Sequence, residues 1–93
     1  MIIVFGIEKV HFVFDKKEHL HREEMREVVS VYLQMSTASN ALKQLYAKEQ
    51  HDGHYPKWTD NYKFETSTFT EMGVDGVSFE YRIVDIELEK TFN

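Results

Sequence analysis

Cysteine is absent from the 93 residues, which excludes disulfides, thiolate metal sites and cysteine nucleophiles. Proline occurs once and glycine four times, too few for a collagenous or low-complexity chain. Long hydrophobic runs are missing as well. Met1 to Phe5 is apolar, but no basic stretch precedes it and Glu8 and Lys9 interrupt it, so it reads neither as a signal peptide nor as a bilayer span. Positive charge is also in deficit. Eleven Lys and Arg against 16 Asp and Glu give a net charge of −5, which argues against a surface that grips nucleic acid or anionic lipid directly. There is no Gly-rich phosphate loop, no H-E-x-x-H and no Ser in a nucleophile-elbow context, so no catalytic residue is named and no cofactor is expected.

What remains is ordinary globular material. Hydrophobic residues at 42% and charged residues at 29% place residues 1–93 as one small soluble domain of a cytoplasmic protein, in a cell or an infected host cell. Ile2 to Phe14 reads as β, because Val10, Phe12 and Phe14 alternate with Lys9, His11 and Val13. Gly6 marks a bulge or a bend, so the segment is one long strand or a tight pair. Asp15-Lys16-Lys17-Glu18 fits a capping box, and Leu20, Met25, Val28, Val29, Tyr32 and Met35 then form an apolar helical stripe. Glu18/Arg22 and Glu23/Arg26 sit at salt-bridge spacing on its wet side.

A second stripe, Ala38, Ala41, Leu42, Leu45 and Tyr46, is rotated from the first, which predicts a helix break within residues 36–40 and an N-cap at Ser36 or Thr37. The competing reading is one unbroken helix covered by a second chain. Gly53 is placed to end the second helix. Residues 51–61 carry the proline and read as a loop. Tyr62–Met72 and Val77–Leu88 read as a hairpin about Asp75-Gly76, which sets Met72 opposite Phe79, Thr70 opposite Tyr81 and Thr68 opposite Ile83. The apolar phase of the last strand moves from odd to even residues, predicting a bulge near Ile83–Val84. The expected fold is therefore α+β, an antiparallel sheet of three or four strands with two helices on one face, in the order β(β)-α-α-β-β.

Two features point to a partner protein. Tyr55, Trp58 and Tyr62 cluster around the polar loop, and Trp and Tyr carry much of the energy of interfaces, although they equally fold back as caps on a sheet or helix end. Asp85, Glu87 and Glu89 are spaced so that three carboxylates leave one face of a strand, ~6.6 Å apart. Such a row imitates a nucleic-acid backbone or simply keeps an edge from aggregating. His51, Asp52 and His54 combine imidazole and carboxylate ligands within one turn, a weak metal motif. The functional expectation is a non-enzymatic protein-binding module, of the kind viruses use to block a nucleic-acid-handling host protein by steric and charge mimicry. The alternatives are a homo-oligomeric structural protein such as a homodimer, and a small metal-binding or enzymatic domain built on the His51–His54 loop.

Overall fold

The computed structural model describes residues 2–15, 20–67 and 78–88. Within them lie β1 (Ile2–Asp15), β2 (Leu20–Tyr32), α1 (Met35–His51), β3 (Tyr55–Asp60), β4 (Lys63–Ser67) and β5 (Ser78–Leu88). The strands form one antiparallel sheet in the order β2-β1-β5-β4-β3, and α1 lies across one of its faces. This replaces the expected sheet of three or four strands under two helices: among the described residues there are five strands and one helix.

The expected first helix is β2. Its Glu, Arg and Met residues favour a helix only weakly, by fractions of ~1 kcal/mol each, and a ladder along most of β1 outweighs that preference. The ladder slips twice, between Ile7 and Glu8 and between His11 and Phe12 of β1, so that Val29 and Glu24 of β2 have no partner opposite them. Each unpaired residue moves the alternation of β2 on by one. Glu23 and Arg26 would leave opposite faces of a regular strand; the extra residue puts them on the same face, where they pair at 2.8 and 2.9 Å. That pair is exposed, and the hydrogen bond from Arg26 holds the Glu23 carboxyl below the usual range. Asp15 closes β1 and pairs with Leu20 of β2, and residues 16–18 of the expected capping box lie outside the described residues.

The helix begins at Gln34, whose side chain makes no cap hydrogen bond, and runs unbroken through residues 36–40. Neither Ser36 nor Thr37 caps it. Its inner face is the expected second stripe: Ala38 and Leu42 are buried, and Ala41, Leu45 and Tyr46 are half-buried. Gly53 ends it at φ +81°, with Gly53 N–H donating to Gln50 O at 3.1 Å and His54 N–H to Glu49 O at 2.9 Å, a Schellman closure. Residues 55–60, expected as loop, are the edge strand β3. An edge accepts Pro56 because one side of the strand needs no donor.

The core joins Ile7, Leu42, Phe64 and Tyr81, with Tyr32, Tyr46, Phe79 and Ile83 packed around them. β5 holds its register against β1 without interruption from Ile2↔Leu88 to Phe12↔Ser78, so the expected bulge at Ile83–Val84 is absent. The phase change has another cause: Phe79, Tyr81 and Ile83 face the helix, whereas Val84, Ile86 and Leu88 share the opposite face with Ile2 and Val4. Gly6 lies between them, and a Cβ there would stand 2.7 Å from Ile86 Cδ1 and 3.3 Å from Val28 Cγ1. The turn at Asp75-Gly76 lies outside the described residues. The ladder it was expected to set is six residues out of register, because Tyr81 pairs with Phe64 rather than Thr70 and Phe79 with Thr66 rather than Met72.

Candidate functional site

The axis of α1 spans ~26 Å while β1 spans ~46 Å, so the helix covers only part of its face. Two places follow from this arrangement: a polar cluster beneath the C-terminal turn of the helix, and an open end of the sheet beyond it.

The polar cluster forms because Glu49 occupies the same helical stripe as Leu42 and Leu45 and so points at the sheet. Its side chain is 13% exposed. The carboxylate is bonded to His54 Nδ1 and accepts from Thr66 Oγ1 at 3.3 Å and from the Tyr81 hydroxyl at 3.5 Å. Thr66 and Tyr81 are buried on β4 and β5. Burial, reinforced by the negative charge and hydrogen bond of Glu49, pushes the Tyr81 phenol up to about 12, so at neutral pH it is a hydrogen-bond donor. The cluster ties the helix end, the turn after it and two central strands to one carboxylate. A cavity of about 450 Å³ opens beside Thr66, walled by Phe12, Phe79 and Tyr55 and crossed by Lys57 and Glu65.

His54 was a candidate metal ligand with His51 and Asp52. The structure turns its Nδ1 to Glu49 and leaves His51 and Asp52 exposed on the helix end. Among the described residues no group of three or more His, Cys, Asp and Glu is placed to hold a metal ion.

The three candidate aromatic residues separate. Trp58 stacks on Tyr46 at 4.9 Å and meets the edge of Phe64 at 5.3 Å; with 36% of its surface exposed, it largely serves as a cap over the helix and β4. Tyr55 pairs with Ser67 at the cavity end of the sheet. Tyr62 sits in the β3–β4 turn at the other end. There its N–H donates to Asp60 Oδ1 at 2.7 Å and its carbonyl accepts from Ile83 N–H at 3.0 Å.

That last bond brings the exposed Tyr62 within two residues of Asp85 along β5. Asp85 and Glu87 are both exposed, on the face that carries the helix, opposite Phe5 and Ile3 of β1. Neither carboxylate has an ion-pair partner among the described residues. Ile3, 47% exposed, lies directly across from Glu87. Glu89 lies outside the described residues.

The sequence points to Tyr62, Asp85 and Glu87 as residue types but not to their meeting at one end of the sheet. It missed Glu49, Thr66 and Tyr81. The available signal was a carboxylate on an apolar stripe, since position 49 continues the series 38, 42, 45. No helix among the described residues is long and apolar enough to cross a membrane. Comparisons of the chain with protein-family models, with characterised proteins and with solved structures find no match.

Proposed function

We propose that this protein is a non-enzymatic binding module that docks the open end of its sheet into a basic groove of a partner, of the kind that handles nucleic acid. The observation that carries the reading is the exposed Asp85–Glu87 pair, unmatched by any cation among the described residues and flanked by exposed Tyr62 and Ile3. Three other acids of the sheet are held in ion pairs: Glu8 by Arg82 and Arg26, Glu23 by Arg26, and Glu80 by Lys63. Unmatched carboxylates beside an aromatic and an aliphatic side chain make a surface that gains from Lys and Arg in a partner. The charges steer the encounter and the buried apolar contacts slow the release.

Trp58 is excluded from the contact set, because its ring is committed to Tyr46 and Phe64. The experiment is affinity capture from cell lysate at low and high salt, comparing the natural chain with Asp85→Lys/Glu87→Lys and with Tyr62→Ala. The expected result is a partner held by the natural chain, released as salt rises, and lost with the double charge reversal. A captured set that is identical for all three proteins and indifferent to salt refutes the proposal.

A further inference from the structure

The sheet face opposite the helix has a different character. At its end, Ile2, Val28, Val31 and Leu88 are 41, 47, 53 and 46% exposed, and half-buried Val84 and Ile86 fill the space between them. The side chain that Gly6 lacks lets Ile86 and Val28 close over β1, so the patch is continuous. The first residues of β1, Ile2-Ile3-Val4-Phe5-Gly6-Ile7, carry apolar side chains toward both faces, the pattern of a strand covered on both sides. Among the described residues the only helix lies on the other face.

Among the described residues, the charges on this face nearly balance. By register the described residues place Glu8, Glu23, Asp60, Glu65 and Glu80 there against Arg26, Arg82, Lys57 and Lys63, five acids and four bases. Most are joined to one another. Arg82 reaches Glu8 at 2.6 Å, Arg26 reaches Glu8 at 3.4 Å and Glu23 at 2.8 Å, and Lys63 reaches Glu80 at 3.5 Å. This is a surface on which another acidic copy meets little repulsion, and it makes no strong electrostatic demand that would select a basic partner.

We infer that this face is covered by a second copy of the chain, two sheets packing patch to patch about a two-fold axis. A two-fold sets each apolar patch on its equal, and twisted sheets pack in this way ~10 Å apart. Each copy offers roughly 400 Å² of apolar surface, within the range of functional patches on monomers. Two patches with part of their ionic rim bury on the order of 1,200 Å² in total, the lower bound for a stable association. Assembly by edge pairing is discouraged on both sides: β2 carries two bulges and a run of charges, and β3 carries Pro56. The pair is therefore closed rather than fibrous. It leaves Asp85 and Glu87 on the outer faces, so it is independent of the partner contact proposed above.

The test is sedimentation velocity of the full chain across a concentration series from low to high micromolar, at low and high salt. The expected mass rises from 11.1 kDa to twice that value, with a midpoint indifferent to salt. Val31→Glu should weaken association at least tenfold, Val31→Thr several-fold, and Gln44→Glu on the exposed back of the helix not at all. Circular dichroism confirms that each variant is folded, and Val31→Thr, a mild change at an exposed strand position, keeps the test valid if the Glu variant is not. A chain that stays monomeric throughout, or a dimer that both Val31 variants leave intact, overturns the inference.

Discussion

Replacing Phe64 by Ala should remove a large share of the protein's stability. The ring is fully buried, and its centroid lies 5.2 Å from Tyr46, 5.3 Å from Trp58 and 5.1 Å from Tyr81, so one residue joins the helix, β3 and β5. Truncating a buried Phe to Ala costs ~3–5 kcal/mol from lost transfer energy and the cavity left behind. Three aromatic neighbours, each worth ~0.5–1.5 kcal/mol beyond area, place this site in the upper part of that range. A domain of this length has ~5–14 kcal/mol in all, so the variant is expected to lose a third or more of its stability. Urea unfolding measures the loss. Trp58, the single tryptophan, stacks in the same cluster and reports it by fluorescence, with far-UV circular dichroism as an independent probe. Gln44→Ala, on the exposed side of the helix, should shift stability by less than about 0.5 kcal/mol. If Phe64→Ala loses less than ~1.5 kcal/mol, this aromatic cluster is not the centre of the core and the packing argument fails.

Two further predictions concern the helix end and the polar cluster. Gly53→Ala should cost about 1 kcal/mol in urea unfolding; no atom lies within 4 Å of the added Cβ, so the cost is that of the left-handed φ alone, and an unchanged midpoint would contradict the Schellman closure. Tyr81 keeps its proton up to about pH 12 when folded but releases it near 10 when unfolded. Its contribution is therefore fully present below pH 10 and is lost as pH rises toward 12. Tyr81→Phe should flatten that alkaline loss of stability, and a natural chain and variant with parallel pH profiles would refute the assignment.

The parts of the fold legible in the sequence were those governed by one local rule. β1 alternates over Lys9–Phe12 and is rich in β-branched and aromatic residues throughout, the Ala38–Tyr46 stripe keeps a helical period, and Gly53 stops the helix where a positive φ is required. β2 was misread for a physical reason. With Glu24 and Val29 unpaired, the residues it sends to one face are Glu23, Arg26, Val28 and Val31, and those it sends to the other are Met25, Glu27, Ser30 and Tyr32. Spacings of two and three imitate the three and four of a helix, so a bulged strand of Glu and Arg looks amphipathic in the wrong geometry. The phase change at Ile83–Val84 implies a slip only where a single face of the strand is apolar, whereas both faces of β5 carry apolar groups. Of the site, the acidic residues and Tyr62 were visible as residue types. Their meeting was not, since it depends on a bond between Tyr62 and Ile83 that no local pattern encodes.

The sheet order has a consequence for how the molecule assembles. β5, the last of the described strands along the chain, is inserted between β1 and β4, which make no ladder with one another. Until it arrives, the β1–β2 ribbon and the β3–β4 ribbon have no common hydrogen-bonded partner, and Tyr81 is missing from the space between Ile7 and Phe64. Closure thus waits for pairings such as Ile2 with Leu88, among the longest loops this chain can form. Folding should accordingly be slow, on the millisecond-to-second scale of non-local β topologies, with the final strand acting as a wedge that completes the sheet in one cooperative step.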